Sequence, residues 1–185
     1  GGPPLAAARA CLDRGGLAPA DVDVLAVSFS PDHYRAMRRP HLGRLGLSVR
    51  ALKKVLLQGR RRLIKIRKRV SRLKADLGIR AAVHWVAHHE AHAASAFLFS
   101  GFEEAAVFTA DGQGELDAGF LGRAGPEGLA VLDRILLPDS LGMFYSSVTQ
   151  YLGLRPNNGE YKVMGMAAYG DPDREDLSEF LAVTD

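Results

Sequence analysis

The strongest constraint in this sequence is the way its strand-like runs are joined. An apolar run at residues 22–29 ("VDVLAVSF") and another at 81–87 ("AAVHWVA") are separated by more than 50 residues, much of them with helical spacing. Three later runs, "EEAAVFTAD", "DAGFLGRA" and "GLAVLDRILL", follow one another across short turns, one of them at Gly125–Pro126. Long helical connections link strands of the first kind and hairpins those of the second, and a chain that mixes both belongs to the α/β class, with a mixed sheet flanked by helices.

Helices fill the intervals. "PPLAAARACLDR", residues 3–14, suits a short helix with proline in its first turn and Gly15–Gly16 at its end. Pro31–Gly46 reads as loop. From Ser48 to Leu77, Leu52, Val55, Leu56, Leu63, Ile66, Val70 and Leu73 form one apolar stripe, divided at Gly59. A helix is predicted from His88 to Phe99, stopped by Gly101, and another from Leu141 to Leu152. A loop through Pro156–Asn158 leads to a helical run from Glu160, and an acidic helix closes the chain. There are no repeats and no low-complexity stretches.

Composition narrows the class. Hydrophobic and charged fractions of 47% and 24% are those of an ordinary soluble globular protein. The single cysteine, Cys11, permits no internal disulfide, which suits a reducing cytoplasm. No apolar run approaches the roughly 20 residues that span a bilayer, so no membrane partner is expected. Of the 24 Lys/Arg residues, 16 fall between Arg38 and Arg80, against one acid, Asp76. Such a segment can serve a nucleic acid, but aromatic stacking residues are nearly absent from it. A solvated amphipathic helix is the simpler account, and nucleic acid is not an expected partner.

Three motifs carry chemistry. In "HHEAHAASAF", His88 and His92 lie four apart on one helix face, with Cβ atoms about 5–6 Å apart, so both rings can reach one metal ion. His89 points about 100° away. The metalloprotease pattern fails, because His89 stands where its glutamate belongs. The alternative is a polar helix start packed by its alanine face. In "TADGQGE", an apolar strand ends in Asp111, and Gly112 and Gly114 allow backbone N–H groups to approach an anion; a plain Asp-Gly hairpin is the alternative. In "PNNGEYKVMGMAAYG", Glu160 can bind ribose hydroxyls and Lys162 a phosphate, with Gly165 allowing close approach. A tightly packed, asparagine-capped helix start explains the same residues.

Taken in order, "HHEAHAASAF", "TADGQGE", "LGMFYSSVTQYLG" and "GEYKVMGMAAYG" resemble the O-carbamoyltransferase family of antibiotic and nodulation-factor biosynthesis. The likeness runs from Val22 to Gly170 and is strongest over Trp85–Gly170. It implies the actin/sugar-kinase/Hsp70 (ribonuclease H-like) fold, in the version found in the tRNA threonylcarbamoyl-modifying protein. In that family a separate carboxy-terminal domain makes carbamoyl-adenylate from carbamoyl phosphate and ATP. The amino-terminal domain passes the carbamoyl group to a substrate hydroxyl with a divalent metal, iron on this resemblance. Carried over by motif, His88 and His92 are metal ligands, and Asp111 and His88 are catalytic. Gly112 and Gly114 sit beside the carbamoyl-adenylate, and Glu160, Lys162 and Gly165 lie on the nucleotide side of the cleft.

The resemblance also implies a partial transferase domain. Residues 1–101 correspond to the rest of an incomplete first lobe, with a basic helical insertion at 38–80, and 102–185 to the start of the second. The opening strands, a remaining metal-binding acid and the adenylate-forming domain, the expected partner, fall outside it. Two alternatives stand beside this reading: a relative of the tRNA threonylcarbamoyladenosine-synthesis proteins, and an inactive nucleotide-binding fragment. The acceptor, a small molecule with a hydroxyl group, is not legible.

Overall fold

The computed structural model describes residues 3–45, 59–171 and 173–174. The chain divides into two compact units, Gly1–Gly142 and Met143–Asp185. The first holds α1 (Leu5–Gly15), β1 (Val24–Val27), α2 (Pro31–Leu45), α3 (Gly59–Leu77), β2 (Ala82–Trp85), α4 (His88–Phe97), β3 (Ala105–Ala110), β4 (Asp117–Gly125) and β5 (Gly128–Leu136). α5 (Leu141–Tyr151) and α6 (Glu160–Met166) follow.

Among the described residues, the two modes of strand linkage produce two small sheets rather than one mixed sheet. β1 and β2 pair in parallel, Val24 opposite Ala82 and Val27 opposite Trp85, with helices in the connection. β3, β4 and β5 form an antiparallel sheet in that order. Gly128, at φ 96°, closes the hairpin between β4 and β5, a conformation glycine adopts without steric cost.

One expected loop is a helix. Pro31–Gly46 contains two prolines and two glycines, which suggested irregular chain, yet α2 occupies Pro31–Leu45. Pro31 stands at the first helical position, where its missing N–H costs nothing. The Ser30 hydroxyl accepts the His33 N–H at 3.1 Å, the usual N-cap bond. Pro40 is accommodated inside the helix. The predicted stripe residues Leu52, Val55 and Leu56 and the closing acidic helix lie outside the described residues. Three of the remaining stripe residues pack as expected: α3 sets Leu63 and Ile66 against Phe29, Tyr34 and Leu116, and Leu73 against Leu77, Ile79 and Ala81.

The core that positions the chemistry lies between α4 and the second sheet. Ala93 of α4 meets Val107, Phe120 and Ala124, with Phe97, Leu129 and Val131 around them. Period-2 alternation explains the selection: Val107 and Thr109 turn inward along β3, while Phe108 between them is 59% exposed. Phe120 is fully buried and opposite Thr109. Replacing Phe120 by alanine is expected to lower unfolding stability by about 3–5 kcal/mol. Phe108→Ala, on the outer face, should change it by about 0.5 kcal/mol or less. Urea unfolding followed by the emission of Trp85, the single tryptophan, measures both, and equal losses would contradict the assignment of faces.

Candidate functional site

β3 delivers Asp111. The Asp111 N–H still donates to Ala118 O at 2.8 Å, so the strand pairing persists to the residue whose side chain leaves the sheet. α4 supplies His88 and His92 from one face, their rings perpendicular with centroids 4.6 Å apart. Asp111 Oδ2 lies 2.8 Å from His88 Nε2 and 3.4 Å from His92 Nε2, and the two Nε2 atoms are 3.1 Å apart. Metal–ligand bonds of about 2.0–2.2 Å give donor–donor edges of about 2.8–3.1 Å at right angles and about 3.3–3.6 Å at tetrahedral angles. All three separations fall in that span. Two imidazoles and one carboxylate are a donor set that suits a divalent transition metal.

Asp111 is held from several sides. Its Oδ1 accepts the Gly112 N–H at 2.6 Å, which leaves Oδ2 for the histidines. The Ser140 hydroxyl lies 3.0 Å from Asp111 O and 2.9 Å from Gly112 O. Gly142 packs so closely that a Cβ there would overlap the backbone of Asp111 and Gly112. Burial works to raise the Asp111 carboxyl, but the hydrogen bonds from His88 and from the Gly112 N–H, with the nearby histidine charges, hold it below its ordinary value. His88, His92 and Asp111 remain partly open, at 27%, 52% and 42% side-chain exposure, so a ligand can reach the cluster.

His89 has a different task. It is buried, and its Nε2 faces Asp117 O at 3.2 Å. A carbonyl can only accept, so Nε2 carries the proton. Nδ1 then accepts from the Thr109 hydroxyl at 3.2 Å, whose oxygen in turn takes the Phe120 N–H at 3.1 Å. Burial pushes the imidazole below its ordinary pKa and keeps it neutral. Gly114 lies against it: a Cβ there would stand 2.9 Å from His89 Cδ2 and 3.2 Å from His88 Cβ.

Two carboxylates behind the cluster are buried. Glu115 accepts the Ser30 N–H at 2.6 Å on Oε1 and the His88 N–H at 3.3 and 3.1 Å on its two oxygens. Asp117 Oδ2 accepts from His33 Nε2 and Arg134 Nη1, both at 2.9 Å, and Arg134 Nη2 reaches Glu90 at 3.2 Å. Burial alone would raise the Asp117 carboxyl; the His33 hydrogen bond and charge outweigh it and hold it low. His33, Glu115 and Asp117 thus form a second close group of possible ligands, but Arg134 already brings a positive charge to it. From the basic segment, Arg62 donates to Gly114 O at 3.0 Å and stacks on Phe29 at 5.3 Å, which ties α3 to the loop.

The family of the chain is decided by comparison with known proteins. A model of the carbamoyltransferase amino-terminal region matches residues 3–184. The chain belongs to the carbamoyltransferase family. Nodulation protein NolNO of Sinorhizobium fredii is 32% identical over 166 residues, 88% of this chain and 22% of that protein. Nodulation protein NolO of Bradyrhizobium diazoefficiens is 47% identical over 89 residues, 47% of this chain and 16% of the relative. An uncharacterized Synechocystis protein, sll1178, is 48% identical over 90 residues, covering 49% and 15%. The matched regions therefore span about a fifth or less of the length of these curated relatives.

Within this carbamoyltransferase chain the sequence-predicted residues divide by unit. His88, His92, Asp111, Gly112 and Gly114 come together in the first. Glu160, Lys162 and Gly165 belong to the second. Glu160 accepts from the Ser146 hydroxyl at 2.6 Å and from the Asn157 and Gly159 N–H groups at 2.7 and 3.0 Å. Lys162 Nζ lies 5.9 Å from the Tyr161 ring centre, and Gly165 faces open space. His33, Glu115, Asp117 and Arg134 escaped the sequence reading. One signal was available: "GELDAGF" carries two acids directly into a strand whose other inward positions are apolar or small.

The Ser146 hydrogen bond, followed by those of the backbone N–H groups, pushes the Glu160 carboxyl down to about 2. A carboxylate depressed on folding stabilises above its unfolded pKa of about 4.3, and that contribution disappears as pH falls through about 2. Glu160→Gln should therefore melt below the wild type at neutral pH, with the gap closing between about pH 4.5 and 2. Parallel melting curves at stepped pH check this; a gap independent of pH would contradict it.

Proposed function

We propose that this chain is part of the transferase domain of an O-carbamoyltransferase, which moves a carbamoyl group from carbamoyl-adenylate to a hydroxyl of a small molecule. The observation that carries the reading is the convergence of His88 Nε2, His92 Nε2 and Asp111 Oδ2. Family membership supports the transferase chemistry, and the donor set fits the divalent metal that the resemblance implies. Protons alone satisfy the three atoms poorly. If the His88 Nε2–H donates its hydrogen bond to Asp111, that nitrogen has neither a lone pair nor a second proton for His92 at 3.1 Å. A cation accepts all three lone pairs.

Bound there, a divalent ion, iron on the family resemblance, supplies Lewis acidity toward the carbamoyl carbonyl. The protein's own residues do the rest. His88 and His92 present neutral Nε2 atoms, and Asp111 presents an ionised carboxylate whose second oxygen is fixed by Gly112. This geometry supports Asp111 as a third ligand in preference to a general base, because its Oδ2 is committed to the two histidines. Gly112 and Gly114 shape the loop, with the Gly114 position given over to helix packing. The parallel pair and the antiparallel sheet suit parts of two ribonuclease H-like lobes, with the adenylate-forming domain as partner and the cytoplasm, with its ATP and carbamoyl phosphate, as location.

The test is a carbamoyl-transfer assay on the full-length enzyme with ATP, carbamoyl phosphate and a panel of hydroxylated acceptors, paired with metal analysis. Asp111→Ala and His88→Ala should each lower metal content and reduce transfer at least about 100-fold. Full activity with metal absent from both variants would reject the assignment.

A further inference from the structure

The loop 111–115 holds the candidate ligand Asp111 at one end and Glu115, a fully buried carboxylate that touches none of the three donor atoms, at the other. Helix α4 begins at His88, so a candidate ligand occupies the first helical position. The residue before it, Ala87, has no side chain able to cap, and no side-chain cap bond is present at that position. A helix start leaves N–H groups without partners inside the helix, and these need an acceptor. Glu115, 27 positions away, provides one to the His88 N–H with both carboxylate oxygens. Its Oε1 also takes the Ser30 N–H, immediately ahead of α2. One carboxylate thus ties together two helix starts, and each start favours the negative charge.

Gly114 lets the same loop lie against His88 Cβ and the His89 ring. Loop 111–115 therefore grips α4 at two points around the base of His88 while carrying Asp111. The distance between Asp111 Oδ2 and His88 Nε2 depends on both ends of that loop being fixed. We propose that Glu115 is a positioning residue that sets the separation of Asp111 and His88 through the His88 main-chain N–H. The inference rests on the metal reading of the cluster. It adds a residue that contacts no ligand atom, and it explains why a charged side chain is buried where an apolar one would pack more cheaply.

Cobalt(II) titration of the full chain tests it, with the visible absorption band of the bound ion as one readout and dissociation constant as another. Trp85 emission and circular dichroism report folding independently of the metal. Glu115→Gln keeps the shape and removes the charge. It should remain folded below its melting temperature, bind cobalt(II) about 10- to 100-fold more weakly, the range for residues that orient ligands, and show a shifted band when saturated. Glu115→Asp keeps the charge but falls one methylene short; it should weaken binding in the same direction and carries the test if the glutamine variant does not fold. Wild-type affinity and an unchanged band in either folded variant would overturn the proposal, leaving Glu115 a stabilising residue only. The metal reading has its own control in His88→Ala and His92→Ala. If the wild type binds no cobalt(II), or these variants bind as it does, that reading fails and the Glu115 role goes with it. If they lose binding while the Glu115 variants keep it, the Glu115 role alone is wrong.

Discussion

Two carboxylates two positions apart, Glu115 and Asp117, lie out of solvent at 0% and 1% exposure, and much of the first unit is arranged to make that possible. An ionised carboxylate taken from water loses solvation on the order of several kcal/mol, and the loss must be offset by fixed donors. Glu115 draws its donors from the main chain at the starts of α2 and α4. Asp117 draws on His33 of α2 and Arg134 of β5. The donors come from the two helices and the strand that surround the loop after β3. Compensation of buried charge therefore does what a larger apolar core does elsewhere: it fixes the register of helices against a sheet. Donor geometry is directional, whereas apolar contact tolerates sliding, so the resulting placement is narrower.

The three histidines within five residues, at 88, 89 and 92, show how one short segment serves several purposes. Helical periodicity turns His88 and His92 to the open side and His89 to the sheet. The open pair is partly exposed, so its ring nitrogens can be reached from solvent. The inward ring is locked as one neutral tautomer by a carbonyl on one side and a hydroxyl on the other. Its fixed hydrogen bonds to β3 and β4 hold α4 against the strand that ends in Asp111. The segment thus contains two candidate ligands and the strut that keeps them in place. Two glycines complete the fit by absence of a side chain: Gly114 against the histidines, Gly142 against Asp111 and Gly112.

How much of this was legible follows from sequence separation. The His88–His92 pair could be read because a helix places residues four apart on one face regardless of tertiary context. The strands around Phe108 and Phe120 could be read because alternation is local. α2 could not, since prolines and glycines at 31, 40 and 43 outweigh the cap at Ser30 in any local scoring. The convergence of Asp111 on the histidines crosses 19–23 positions and depends on how β3 packs against α4. Asp111 entered through family likeness in the neighbourhood of the site, but its place beside both histidine nitrogens did not. Glu115 meets Ser30 across 85 positions and His33 meets Asp117 across 84. No periodicity encodes such contacts, and a buried acid in a strand is the only trace they leave.

The contrast between the open cluster and its closed support explains why the two acid groups are not interchangeable as metal sites. Both bring a histidine and a carboxylate within 4.8 Å of one another. In the group of His33, Glu115 and Asp117, Arg134 adds a fixed positive charge, and the oxygens of Glu115 are engaged by main-chain N–H groups. A cation entering there would have to displace those donors and approach a guanidinium inside a low-dielectric interior, where charge repulsion is least screened. In the group of His88, His92 and Asp111, the ion pairs found among the described residues join members of the group to one another, and every member is at least a quarter exposed. Solvent and small solutes can therefore reach all three donor atoms of the open group. The same residue types therefore separate into an interior whose charges are already paired and a solvent-facing group whose donor atoms are open, with Glu115 joining the two through the first residue of α4.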